Sequence, residues 1–244
     1  MASVAAEKLK IALVLFGQPR LVQKPDVWLS HKAHILDKYD TDVYMHCWTA
    51  ASAEALSSHV PSPAHAYCPP DAPEILVDRY KPKATAFEPQ KSMRFDDATL
   101  RLLHSKFKDP CMANVHNYST QLYSIATAAR LVDKSVPYDY VIVARYDMTL
   151  LEFPDLTKMP RTFLVDDQHP RFPDICYIFP PRYLESQESF YRLPALFQTY
   201  HLSLGDLHTF WEPSPEAMKH LNYVSLFPKT DLYPMRIKFM RLAP

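Results

Sequence analysis

The run Ile11-Ala12-Leu13-Val14-Leu15-Phe16, ended by Gly17-Gln18-Pro19-Arg20, constrains the fold of this chain more than any other feature. An apolar run of strand length without alternation fits a strand covered on both faces, as in a parallel sheet, and the glycine after it fits a tight turn. The pattern returns at Tyr140-Val141-Ile142-Val143-Ala144, which is followed by Arg145-Tyr146-Asp147. Asp42 to Trp48 reads as a second strand, Ala84 to Phe87 as a third, and Phe163 to Val165 and Ile175 to Phe179 as two shorter ones. Helical periodicity lies between them. Trp28, Ile35, Leu36 and Tyr39 share one face of a helix over Pro25 to Tyr39, with Pro25 near its start. Val115, Tyr118, Leu122, Ile125, Ala129 and Val132 step by three and four along the clearest helix, for which Asn114 or Asn117 is the candidate cap. Residues 50 to 73, rich in Ala, Ser and Pro, read as a loop with at most one short helix, and Pro213-Ser214-Pro215-Glu216 opens a late helix.

This alternation predicts one α/β domain over residues 1–244, with a mostly parallel central sheet flanked by helices. Right-handed crossovers put the strand carboxyl ends on one edge, where ligands of open α/β sheets bind. Both polar clusters, Gly17 to Arg20 and Arg145 to Asp147, follow apolar strands and therefore fall on that edge.

Charge excludes one class of partner. The 244 residues hold 27 Lys plus Arg against 27 Asp plus Glu, so there is no overall basic footprint for nucleic acid or an acidic membrane surface. The six-residue apolar run near the start is too short to span a bilayer and lacks a small-residue cleavage site after it. Cys47, Cys68, Cys111 and Cys176 form no CxxC pair, which suits reduced thiols in a cytoplasmic protein. Glycine is scarce: about 17 would be usual at this length, and only Gly17 and Gly205 occur, which marks both as positions that need a backbone other residues do not supply. Proline, at 23, stiffens loops such as Pro61 to Pro73 and Pro170 to Pro181.

The turn Gly17-Gln18-Pro19-Arg20 offers close backbone approach, an amide able to read a base or ribose, and a guanidinium suited to phosphate. Its plain alternative is a strand-to-helix turn with a solvated arginine. It is not a Walker loop, and GxGxxG is absent. Asp147 sets a carboxylate just past a buried strand, where an oxygen ligand can hold a hard divalent cation; its plain alternative is a structural ion pair with Arg145.

Taken in order, the strand-FGQPR opening, Asp42-Val43-Tyr44-Met45-His46-Cys47-Trp48, Ser119-Thr120-Gln121-Leu122-Tyr123-Ser124-Ile125, Tyr140 to Asp147 and Pro173-Asp174-Ile175-Cys176-Tyr177-Ile178-Phe179 resemble one family. They are similar to the small GT-A glycosyltransferases of large algal viruses (chloroviruses) and of bacterial surface-polysaccharide clusters. A fainter likeness runs from Gly205-Asp206-Leu207 to Arg236. The resemblance implies a nucleotide-binding half over about 8–150 and an acceptor-side half over about 151–244. It also implies a UDP-sugar donor held by Gly17, Gln18, Arg20 and Arg145, and manganese or magnesium held by Asp147 with His208, His220 being the other late histidine. The acceptor is a glycan hydroxyl. For an inverting transfer the base is Asp206, whose plain role is to cap a helix, with Asp174 as the runner-up. The sequence departs from the usual D-x-D metal motif, since Arg145 stands where its first acid would be; Asp166-Asp167 is a rival acidic pair. Trp48, Tyr118, Tyr123 and Trp211 are candidates to stack on base or sugar, or else core aromatics. The donor sugar stays open among xylose, glucose and rhamnose. A nucleotide- or sugar-binding module without catalysis, and a nucleotidyltransferase, are the alternative functions.

Overall fold

The strand β1 (Lys10–Phe16) runs through the middle of the protein, with Ile11 to Leu15 wholly excluded from solvent. The structure is a computed structural model in which residues 8–49, 68–91, 101, 112–166, 176–185, 232–235 and 237–240 are described. β1 is flanked in parallel register by β2 (Asp40–Thr49) and β4 (Tyr140–Arg145), and β3 (Ala84–Pro89) adds to β2, again parallel. A strand paired on both edges and covered on both faces admits no polar side chain without a partner, which is why β1 is continuously apolar. Beyond β4 the sheet changes character. β7 (Cys176–Phe179) pairs antiparallel with β4 and with β6 (Phe163–Asp166), and β6 pairs in parallel with β8 (Leu232–Met235). The order is β3-β2-β1-β4-β7-β6-β8, an α/β architecture with a mixed, mostly parallel sheet; β5 (Thr149–Glu152) and β9 (Lys238–Met240) form a separate antiparallel pair.

Helices cover the sheet. The long α3 (Met112–Arg130) packs on β1 and β2 through Ile125, Ala128 and Ala129, all fully buried. The small residues let the helix axis lie close to the strands. Asn114 and Asn117 lie inside this helix, so neither caps it. The helix α1 (Pro25–His31) begins with proline as expected, then widens into a π turn over Lys32–Leu36, in which the Asp37 amide reaches back to the Lys32 carbonyl at 2.9 Å. Ile35 and Tyr39 of the predicted face are buried. Trp28 and Leu36 are only half-buried, and the inward positions are Val27, Ser30, His31, Ile35 and Tyr39. Two polar residues in that set find partners. The Ser30 hydroxyl accepts the Leu150 N–H of β5 at 3.0 Å, and the His31 Nδ1 meets the Tyr80 hydroxyl at 2.8 Å. Burial holds the His31 imidazole at a pKa of about 4.

Helix α2 (Ala72–Tyr80) was not foreseen from periodicity, being short and opened by Pro73; it ends at Lys81, a non-glycine residue in the left-handed region at φ 46°. Among the described residues no helix is long and apolar enough to cross a membrane. Cys47, Cys68 and Cys176 are buried free thiols.

Candidate functional site

In the sheet order the chain runs from β1 to β2 to β3 on one side and then returns to β4 on the other. The strand order reverses between β1 and β4, and the crevice outside their carboxyl ends is where an open α/β sheet takes its ligand. Phe16 and Arg145 are register partners across that boundary, so the loops after β1 and β4 leave the sheet side by side.

The first loop is held in an unusual backbone. Gly17 has φ 104°, a conformation that L side chains rarely adopt, although a Cβ there would meet nothing within 4 Å. The constraint is therefore torsional rather than steric. Leu21 follows at φ 57°, also left-handed. A non-glycine residue there costs about 1–3 kcal/mol and persists where the surroundings dictate it. Here the surroundings do so. The Gly17 carbonyl accepts the Trp48 N–H at 3.0 Å, the Arg20 N–H closes a tight turn on the Gln18 carbonyl at 2.8 Å, and the Arg79 guanidinium of α2 donates to the Val22 carbonyl. The Arg20 guanidinium donates to Gln18 Oε1, and Gln18 Nε2 donates to Gln90 Oε1 at 3.2 Å. Arg20 is only 9% exposed, so it is not the solvated turn residue of the plain alternative.

Behind the loop lies a buried relay that sequence reasoning missed. The Gly17 N–H donates to Ser124 Oγ at 2.8 Å, Ser124 Oγ meets His46 Nδ1 at 2.6 Å, and His46 Nε2 meets Glu88 Oε1 at 3.0 Å. Glu88 also pairs with Lys91 at 2.6 Å. Burial lowers the His46 pKa and Glu88 offsets only part of this, so the imidazole is neutral near pH 7. For Glu88 burial acts upward, and the bonds from Lys91, His46 and Tyr123 outweigh it, keeping the carboxylate ionised. The tautomer follows: Nε2–H donates to Glu88 and Nδ1 accepts the Ser124 hydroxyl proton. Serine, histidine and glutamate in contact resemble a hydrolytic triad, but the geometry argues otherwise. Ser124 and His46 are both 0% exposed, and the acid sits on Nε2 while the serine sits on Nδ1, the reverse of a working triad. The relay positions the Gly17 turn. His46 was detectable in principle as a polar interruption of an apolar strand, whereas Glu88 and Ser124 are 42 and 78 positions away from it in sequence, beyond any local pattern.

Trp48 is 1% exposed and stacks on Tyr123 at 5.5 Å between ring centroids, so it is a core aromatic and not a ligand platform. Tyr123 is half-buried, and the Lys91 ammonium lies 4.5 Å from its ring centre. The side chain of Tyr118, and Trp211 altogether, lie outside the described residues.

After β4 the backbone turns at Tyr146 and Asp147. Tyr146 points into the core and its hydroxyl donates to the His46 carbonyl at 2.9 Å. Arg145 and Asp147 form a two-pronged pair, Nε to Oδ1 at 2.8 Å and the terminal nitrogen to Oδ2 at 2.6 Å. Asp147 is 2% exposed.

No known family model matches this chain. No protein of curated function matches it in sequence.

A hard divalent cation takes about six oxygen ligands. At the carboxyl end of β4 both oxygens of Asp147 accept from Arg145, and among the described residues no three His, Cys, Asp or Glu side chains gather to hold a metal. Asp147 is thus the one expected ligand among the described residues. His208, the expected second ligand, lies outside the described residues, as do His220, Asp206, Asp174 and Asp167; Asp166 is the last residue of β6. Gly17, Gln18, Arg20, Arg145 and Asp147 are the predicted site residues that fall on the β1–β4 edge. The opposite edge carries a groove of about 630 Å³ lined by Lys8, Lys10, Asp40 and Asp139 among others, at the strand amino ends and away from that constellation.

Proposed function

We propose that this protein is a glycosyltransferase that moves a sugar from a UDP-sugar to a glycan hydroxyl, with inversion. The observation that carries this reading is the meeting of two loops at the reversal of strand order, one with a positive-φ glycine turn and Arg20, the other with Arg145. Backbone that can approach closely and two planar guanidiniums make a site for a diphosphate, and the Gln18 and Gln90 amides beside them suit the polar edge of a base or ribose. In the reaction the acceptor oxygen bonds to the anomeric carbon. The bond from that carbon to the diphosphate oxygen breaks, its electron pair leaves with UDP, and the acceptor proton passes to a carboxylate. Asp206, or Asp174 in its place, is assigned that proton on the resemblance alone. Arg20 and Arg145 stabilise the charge that builds on the departing diphosphate. The setting in this reading is the cytoplasm, that of an infected host if the enzyme is viral, and the product a surface or capsid glycan.

A panel of UDP-sugars, including the xylose, glucose and rhamnose donors, tests the proposal by slow release of UDP. Tight binding without turnover would favour a binding module, and pyrophosphate release a nucleotidyltransferase. Asp206→Asn is expected to abolish transfer and leave donor affinity nearly intact; transfer at the wild-type rate would move the role to Asp174.

A further inference from the structure

We infer that Glu88, on β3, is a positioning residue for the nucleotide turn, acting through His46 and Ser124 on the Gly17 amide. This rests on the reading of that turn as the UDP-sugar site. The hydrogen bonds of the relay all run one way. The Gly17 N–H donates to Ser124 Oγ at 2.8 Å, the Ser124 hydroxyl donates to His46 Nδ1 at 2.6 Å, and His46 Nε2–H donates to Glu88 Oε1 at 3.0 Å. The far end of the chain sets its direction, because an ionised carboxylate only accepts and a neutral imidazole has one donor and one acceptor. With the proton on Nε2, the imidazole shows Ser124 only a lone pair. The serine proton then points at the ring and leaves the oxygen to Gly17.

Glu88 can set this direction because it is itself held. Its other oxygen pairs with the Lys91 ammonium at 2.6 Å. The imidazole plane is fixed as well, by the Trp48 ring lying perpendicular to it at 4.6 Å between centroids and by the Tyr123 ring at 5.9 Å. The freedom left to the imidazole is the place of its proton. Were that proton on Nδ1, two N–H groups would compete for the Ser124 oxygen, and the hydroxyl proton would have to turn away from the ring in a place closed to solvent. The imidazole is packed between rings and Gly17 begins a loop, so the Gly17 bond is the one that gives way. A carboxylate on β3 thereby acts on a turn that leaves β1, two strands over in the sheet.

Glu88→Gln and Glu88→Met in the full chain test this, because the two variants carry the same charge and similar bulk and differ in whether the side chain accepts a hydrogen bond. In Glu88→Gln the amide oxygen takes the Nε2–H and His46 keeps its tautomer. In Glu88→Met the proton is expected on Nδ1, as read by nitrogen NMR of the histidine rings. The Gly17 amide is expected to exchange with deuterium about 3- to 10-fold faster in Glu88→Met than in Glu88→Gln, and UDP, titrated calorimetrically, to bind about 3- to 10-fold more weakly, the range for loss of one hydrogen bond. Circular dichroism establishes that both variants are folded. A Glu88 that only braced the fold would lower Tm and leave the His46 proton where it was. The same tautomer, the same Gly17 exchange rate or the same UDP affinity in the two variants would overturn the inference. Should Glu88→Met fail to fold, wild type and Glu88→Gln decide: Nε2–H with a protected Gly17 amide supports the relay, and Nδ1–H or an unprotected amide overturns it. Absence of UDP binding by wild type would instead sink the glycosyltransferase reading, while the tautomer and the Gly17 amide would still judge the relay.

Discussion

Replacing Ser124 by alanine removes one oxygen from the protein interior, and the structure sets what that should cost. Ser124 Oγ is the acceptor for the Gly17 N–H at 2.8 Å and the hydroxyl partner of His46 Nδ1 at 2.6 Å, in a place with no access to solvent. The substitution leaves two polar groups buried without that partner, each worth about 1–3 kcal/mol, and the void of one oxygen is too small to admit a bridging water. The two penalties share one site and fall short of simple addition, so a loss of about 2–4 kcal/mol is expected. For a chain of this size that lowers Tm by roughly 4–16 °C. Binding should change with stability, because the freed N–H belongs to the Gly17 turn. Ser124→Ala is therefore expected to weaken UDP binding as well, although Ser124 touches no ligand. Denaturant melts followed by circular dichroism, with UDP titration at a temperature where the variant is folded, check both parts. A stability loss under about 0.5 kcal/mol would show that the relay is not holding the turn, and the argument for it would fail.

Gly17→Ala meets no clash, so its expected loss of about 1–3 kcal/mol is purely torsional; an unchanged Tm would refute that. His31 is neutral in the folded protein and protonates near pH 6.5 when unfolded, so its contribution is complete above pH 6.5 and is lost as pH falls toward 4. Over that window it accounts for about 3 kcal/mol, and urea melts of His31→Gln should show a correspondingly shallower decline than wild type; parallel declines would contradict the assignment. Asp42, at the opposite edge, accepts from Lys10 at 3.0 Å, Lys83 at 2.8 Å and Tyr138 at 2.8 Å. Asp42→Asn should cost about 1–3 kcal/mol and leave UDP affinity unchanged; a fall in affinity beyond the stability loss would mean that this cluster reaches the site.

The strands that carry the site were legible because burial on both faces writes a continuous apolar run, as in β1 and β4, and because charge appears abruptly where such a strand leaves the core. The conformation of Gly17 was legible for a related reason: in a chain with two glycines, each position is informative. Pairing at long range was not legible. Nothing local joins His46 to Glu88, and nothing in Arg145-Tyr146-Asp147 says whether its acid faces a cation or its own arginine; only the folded backbone brings Nε and Nη2 onto the two oxygens. The inward face of α1 was legible in part: Ile35 and Tyr39 are buried and Trp28 and Leu36 pack at its border, whereas the polar Ser30 and His31, which hydropathy does not assign inward, are buried with them. Antiparallel β7 escaped for another reason. A strand buried on both faces, Cys176 to Phe179, has the same apolar signature in either direction.

The residue between the two charges carries a consequence for how this edge can change. Arg145 ends β4 and Tyr146 and Asp147 lie in the turn after it, where Tyr146 is fastened into the core by its bond to the His46 carbonyl of β2. That ties the turn bearing Asp147 to β2, which lies beyond β1 in the sheet. Exchange of either charged residue would leave its partner's charge without the two-pronged bond. Loss of the tyrosine would free that turn while keeping both charges, which makes the uncharged residue the anchor of the motif.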